Sequence, residues 1–277
     1  MGKLIEALKA GHAVNDKGYF NSYTANIFKG KMNIGFQKMF DQGSGGELHS
    51  KAEAVHSSSM LSYNFFHWID DAHPFVWNGV KYTQVSFEVK MKTIKDSNAP
   101  ANMDVVLIDK DKNHLLFIES KFTEYTETKK FELSKSYKDR NKWYNTEVDW
   151  GRVVSYTPQK EYKYKEGIKQ LITHLFGIHS QFVERSDTFN NIDFNSAKLV
   201  FITLIFDPSE KDFADEHKAY NNYYGLFTDF KSSIGNVGLK VVPEWVSYSK
   251  LWKDMKGQMP KDLDDYLWER YMKFAQQ

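Results

Sequence analysis

Residues 101 to 121 read ANMDVVLIDKDKNHLLFIESK. Two continuous apolar runs, Val105 to Ile108 and Leu115 to Ile118, flank the polar residues Asp109, Lys110, Asp111, Lys112 and Asn113, a pattern that predicts two strands and a turn. Antiparallel pairing centred between Asp111 and Lys112 sets Ile108 opposite Leu115, Val106 opposite Phe117 and Asp104 opposite Glu119. Side chains alternate between the two faces of a strand, so Lys121 joins Asp104 and Glu119 on one side. Ile118, Ser120 and Phe122 go to the other. An aspartate, a glutamate and a lysine therefore gather at one end of two apolar strands.

Carboxylates held a few ångströms apart repel unless a positive charge sits between them. A divalent cation meets that need, and Mg²⁺ is suited by two carboxylates, several waters and a substrate phosphate. Lys121, beside such an ion, would orient or deprotonate an attacking water or stabilise the charge that builds up on phosphorus. The assembly is one for phosphodiester hydrolysis.

These residues resemble the PD-(D/E)XK nuclease superfamily, which includes many restriction endonucleases. Asp104 matches the first acidic residue, and Glu119 and Lys121 match the E-x-K pair, with fourteen residues between Asp104 and Glu119. Met103 stands where a proline is common, and the nearest proline is Pro100. The resemblance implies a restriction-endonuclease-like α/β core with a mixed α+β sheet, ordered helix, strand, strand, strand, helix, strand, over about residues 47 to 206. It further implies metal ligation by Asp104 and Glu119 with Mg²⁺, for which Mn²⁺ would substitute, and DNA as the partner. A helix before the sheet often adds another acid in such nucleases. Glu47 and Glu53 are the candidates here, with Glu47 preferred because it follows the glycines of GSGG at 43 to 46. A polar residue from the helix after the catalytic strands can also approach the site, which makes Gln170 a candidate. Relatives often cut both strands as homodimers; nothing in this sequence fixes the oligomeric state, and a homodimer stays open.

With 277 residues, 41% hydrophobic and 16% aromatic, the chain has ample material for a packed core, so disorder is not the default. It contains no cysteine, which excludes disulfides and thiolate metal sites. No run of about eighteen apolar residues occurs, and the N-terminal MGKLIEALKAGHAV lacks a secretory pattern, so the expectation is a soluble, cytoplasmic protein without a membrane span. The formal net charge of +1 conceals segregation: residues 1 to 40 carry +4, residues 129 to 170 carry +5 and the remainder −8. The two basic stretches either line a nucleic-acid groove or are solvated surface.

The rest of the chain divides as one domain with elaborations: a basic N-terminal helical arm or loop over 1 to 46, a core over 47 to 206 with an insertion at 123 to 164, and an extension over 207 to 277. A long helix is predicted from Glu47 to about Trp68, on apolar positions from Leu48 to Phe65. An Asn78-Gly79 turn precedes a strand in which Val85, Phe87, Val89 and Met91 alternate with Ser86, Glu88, Lys90 and Lys92. That alternation predicts one buried and one wet face; Glu88 falls on the wet one, which explains it adequately, and a place near the site stays open for it. The insertion interleaves Phe131, Tyr137, Trp143, Tyr144, Trp150, Tyr156, Tyr162 and Tyr164 with Lys and Arg, a composition for stacking bases and holding phosphates, or for a satellite core with solvated charges. A helix over about 161 to 178 follows, then a buried strand at 198 to 206 parallel to the Glu119 strand, a polar helix at 211 to 230, a strand at 239 to 248 and a final amphipathic helix. His174 and His179, five apart, are poorly spaced for joint metal ligation and read as surface or satisfied core histidines. The function expected is a metal-dependent DNA endonuclease of restriction or genome-defence type. Two alternatives remain: a binding module with this fold and little chemistry, and a nuclease for RNA or for branched or single-stranded DNA.

Overall fold

The hairpin forms in the expected register. In the computed structural model, which describes residues 2–43, 48, 51–96, 100–144 and 147–277, β3 (Ala101–Asp109) pairs antiparallel with β4 (His114–Lys121) through Val105↔Ile118, Val106↔Phe117, Leu107↔Leu116 and Ile108↔Leu115. Asp109 closes the turn by accepting from the amides of Asn113 and His114 at 2.7 and 2.8 Å. Its carboxylate replaces the ladder partners that the turn backbone cannot supply.

Upstream, β1 (Phe75–Trp77) turns through Asn78 and Gly79 into β2 (Val80–Met91). Both turn residues have positive φ, 49° and 78°, the requirement of a tight hairpin turn that asparagine and glycine tolerate best. β2 pairs antiparallel with β3. On the other flank, β5 (Lys198–Ile205) runs parallel to β4, and β6 (Pro243–Ser247) parallel to β5. The described residues thus form one six-stranded mixed sheet in the order β1-β2-β3-β4-β5-β6.

Alternation along the central strands feeds two cores. Val105, Leu107, Leu116, Ile118, Ile202 and Leu204 face one, built with α2 (Ile34–Gln42), α3 (Ser58–Phe66), α8 (Tyr248–Met255) and α9 (Lys261–Arg270). Val106, Leu115, Phe117, Phe201 and Ile205 face the other, built with α5 (Trp150–Ser155), α6 (Glu166–Ser180) and α7 (Ala214–Ile234). The crossover from β4 to β5 passes through α4 (Lys135–Lys138), α5 and α6. This is the helix-covered mixed sheet expected of a restriction-endonuclease-like core.

Three expectations need correction. The long helix from Glu47 to Trp68 is only α3: Ser57 caps it by accepting from the Met60 amide at 3.3 Å, residues 51–53 form a 3-10 turn, and Ala54 bridges to Tyr19. Serines that cap helices and a bridge to a distant segment outweigh the helical spacing of Leu48, Ala52 and Val55, which is packing of irregular chain. The N-terminal residues are no free arm, since Leu4 and Leu8 of α1 (Lys3–Lys9), with Phe20, Ile27 and Phe40, are buried in the first core. Strand β2 does not present one wet face. Val85 and Phe87 enter the first core while Val89 and Met91 enter the second, and β3 switches in step, with Val105 in the first and Met103 in the second. The cause is Glu88, whose φ of 50° is a left-handed conformation inside a strand.

Candidate active site

The kink puts Glu88 and Asp104 at one point of the sheet, between the ladder pairs Phe87↔Val105 and Val89↔Met103. Asp104 leaves the β3–β4 ladder there and uses its side chain instead: the Ser120 amide donates to Asp104 Oδ2 at 2.6 Å. The strands part at the residues that carry the chemistry. Ser120 itself points to the opposite face, where its hydroxyl meets the Tyr248 hydroxyl at 2.7 Å and donates to Ser58 O, tying the start of α3 to the site.

Glu119 and Lys121 are 2% and 4% exposed and form an ion pair through Oε1 and Nζ, with the ammonium also donating to Ser120 O at 3.3 Å. Burial pushes the Asp104 carboxyl well above the usual carboxylate range, and the charges of Glu119 and Glu88 add to that push against the pull of Lys121. Burial acts on Glu119 in the same sense, but Lys121 first and His174 next outweigh it and hold Glu119 below its ordinary value. The neighbouring carboxyl groups are thus pushed in opposite directions, Asp104 up and Glu119 down, and titrate as a pair. Lys121 is held charged: desolvation opposes its ammonium, yet Glu119 raises it well above the ordinary lysine value.

His174, on α6, joins this group. Its Nε2 lies 3.0 Å from Asn102 O, a bond that needs the hydrogen on Nε2, and its Nδ1 lies 3.3 Å from Glu119 Oε2. Burial keeps the imidazole below its ordinary pKa against the attraction of Glu119. Nδ1 is buried and makes no hydrogen bond among the described residues. The expectation of a surface or satisfied core histidine is therefore corrected. Gln170 lies one turn earlier on α6 and accepts from the Tyr164 hydroxyl at 3.4 Å.

Asp104, Glu119, Lys121, Glu88, His174 and Gln170 all line one cleft of about 560 Å³. Glu88 is 7% exposed, not wet as alternation suggested, and its positive φ is the kind of strain that persists where function demands it. Glu53 sits in the 3-10 turn and is not among the cleft-lining residues. Glu47, the preferred extra acid, and residues 44–46 of the GSGG loop fall outside the described residues.

The ring-rich insertion resolves toward the satellite-core reading. Trp150 stacks on Phe176 at 3.8 Å, Tyr156 meets Phe230 at 5.2 Å, and the Trp143 indole donates to Tyr137 O at 2.9 Å. Of the insertion's rings, Tyr164 is the one that lines the cleft, pinned there because Lys129 and Tyr164 bridge as a short parallel pair. Lys130, Lys135, Lys138 and Arg140 are exposed.

Among the described residues no three Asp, Glu or His side chains converge as a ready-made metal-ligand set. Mg²⁺ ordinarily takes one or two carboxylates and completes its shell with water and phosphate, so the Asp104–Glu119 pair is a sufficient donor set for it. Among the described residues no helix is long and apolar enough to cross a membrane. No curated protein and no solved structure matches the chain. Over residues 7–272, however, the chain matches the family described as restriction endonuclease associating with ARP. With that match spanning almost the whole sequence, the chain belongs to this restriction-endonuclease family and is a nuclease-type hydrolase.

Proposed function

We propose that this nuclease hydrolyses DNA phosphodiesters with a divalent cation, Mg²⁺ or Mn²⁺, as a restriction or genome-defence endonuclease. The observation that carries the reading is the meeting of the half-buried Asp104 and buried Glu119 carboxyl groups beside the Lys121 ammonium, at the point where β3 and β4 part and open to a cleft. Asp104 and Glu119 would hold the cation, which when bound neutralises charge developing on the phosphate.

The chain's own residues do the rest. The β3–β4 hairpin holds Asp104 and Glu119 together, and Glu119 and Ser120 O hold Lys121 beside them. The Lys121 ammonium, held charged by its surroundings, acts as a hydrogen-bond donor toward the attacking water or the phosphate oxygens rather than as the base. Glu88 and His174 flank the pair from β2 and α6, Glu88 raising the Asp104 carboxyl and His174 lowering that of Glu119.

DNA in duplex form is favoured over unstacked strands because the aromatic rings of the insertion are spent on packing, whereas cations such as Lys130, Lys135, Lys138 and Arg140 are among its exposed residues. By the family's description, association with ARP is proposed for this chain as well; co-elution of the two on size exclusion tests it. Incubating the purified protein with duplex DNA and Mg²⁺ beside an Asp104→Asn variant tests the catalytic reading. Cutting by the wild type alone is expected, and full activity in the variant would refute the assignment.

A further inference from the structure

His174 Nδ1 is a buried polar atom without a hydrogen-bond partner among the described residues, yet it lies 3.3 Å from Glu119 Oε2, on a residue that lines the cleft. The residue is 4% exposed, and its ring is held from two directions. Nε2 lies 3.0 Å from Asn102 O, and the Phe201 ring of β5 meets the imidazole edge-on at 6.1 Å. A carbonyl oxygen can only accept, so the hydrogen sits on Nε2 and Nδ1 presents a lone pair. That lone pair and the Glu119 carboxylate oxygen are both acceptors, and two buried acceptors this close repel unless something positive binds both.

A proton or a metal ion could fill that role. A proton would make the ring an imidazolium where Lys121 already supplies a positive charge to Glu119, and burial opposes a second buried cation. The spacing suits a metal ion. Donor atoms about 2.0–2.2 Å from one ion lie about 3.0–3.4 Å apart at right-angled to tetrahedral geometry, and the observed 3.3 Å falls within that interval. A metal-bound histidine almost always donates its other ring N–H to an acceptor such as a backbone carbonyl, which fixes the tautomer and the ring's direction, and Asn102 O is that acceptor here. The Glu119 carboxylate is divided accordingly, with Oε1 on the Lys121 ammonium and Oε2 facing the imidazole. Water and phosphate oxygens can complete the shell, so no ready-made set of three converging side chains is required.

We propose that His174 Nδ1 is, together with Glu119 Oε2, a direct ligand of the cation at this site, and that the imidazole makes the site prefer Mn²⁺ to Mg²⁺. This rests on the reading of Glu119 as a cation ligand. Mg²⁺ is bound through oxygen and gains little from a nitrogen donor, whereas first-row transition ions accept imidazole, and Mn²⁺ among them is also at home with carboxylate and water.

The test is pulsed electron paramagnetic resonance of Mn²⁺ added to the full-length protein, with ordinary histidine and with ¹⁵N-histidine, beside calorimetric titrations of Mn²⁺ and Mg²⁺. Wild type, His174→Phe and His56→Phe are compared, His56 being the other histidine that lines the cleft. Thermal melting in EDTA checks that the variants fold. The expected result is coupling of Mn²⁺ to a histidine nitrogen in wild type and His56→Phe and none in His174→Phe. The ratio of Mn²⁺ to Mg²⁺ affinity should fall by about tenfold or more in His174→Phe. Should His174→Phe fail to fold, coupling retained in His56→Phe makes the same assignment. Bound Mn²⁺ without histidine coupling, or an unchanged affinity ratio in His174→Phe, would overturn the proposal while leaving the metal-dependent nuclease reading intact. A wild type that binds no divalent ion would overturn both, and histidine coupling in a protein that cuts no nucleic acid would uphold the ligand while the nuclease reading fails.

Discussion

Replacing Lys121 by Met keeps most of the length of the side chain and removes its charge, which leaves Glu119, 2% exposed, beside Asp104 without its main counter-ion. Removing one partner of a buried ion pair costs about 3–5 kcal/mol. For a chain of this size that corresponds to a fall in melting temperature on the order of 10 °C. Glu119 has its folded pKa depressed by Lys121, so the pair's contribution is present above the unfolded glutamate value of about 4.3 and disappears as pH falls through the lower folded value. The deficit of the variant should therefore be full at pH 7 and close on acidification below about pH 4. A divalent cation takes over the missing positive charge, and at a hundredfold excess over its Kd contributes about 2.7 kcal/mol. Lys121→Met should accordingly gain more from Mg²⁺ than the wild type, in which the ammonium competes with the cation. Thermal melts of both proteins in EDTA and in Mg²⁺ at pH 7, and in EDTA at pH values stepped down below about 4, check this. A variant that melts with the wild type in EDTA, or that responds no more strongly to Mg²⁺, would refute the electrostatic account of the site.

Other consequences can be checked as simply. Because the Asp104 carboxyl is held well above its ordinary range and a cation favours its ionised form, Mg²⁺ affinity measured by calorimetry should rise with pH above the ordinary carboxylate range, with proton release on binding; a pH-independent affinity would contradict the raised carboxyl. Glu88→Gln should lower kcat by about tenfold through its loss of charge beside Asp104, and unchanged kcat would remove Glu88 from the site. Gly167→Ala, normally favourable in a helix, should instead destabilise the protein by about 1–3 kcal/mol in urea titrations because the methyl collides with the Tyr223 hydroxyl.

What was legible in the sequence was what local pattern determines. Two apolar runs around a five-residue polar turn fix the β3–β4 register, and with it the meeting of Asp104, Glu119 and Lys121. The parallel partner β5 followed from a buried run after a helical crossover. What escaped depends on distant contacts. Period-2 alternation placed Glu88 in solvent, but one left-handed residue switches both strands to the other face and buries it. His174 was set aside on its spacing from His179, whereas its position one turn after Gln170 on the same helix was the usable signal; α6 lies across β3 and carries both to the cleft. The spacing from Leu48 to Val55 imitated a helix that serine capping and the Tyr19 bridge break. The aromatic insertion was open on composition alone, since rings beside lysines serve a core and a nucleic acid equally well until packing partners such as Phe176 and Phe230 are known.

The measurement that bears most directly on the central claim is cleavage of supercoiled, linear and single-stranded DNA by wild type and Glu119→Gln in Mg²⁺, Mn²⁺ and EDTA. The account predicts cutting of duplex DNA by the wild type in either cation, none in EDTA, and loss of cutting in the variant. Cutting that persists in EDTA or in Glu119→Gln, or binding without cutting under every cation, would contradict it.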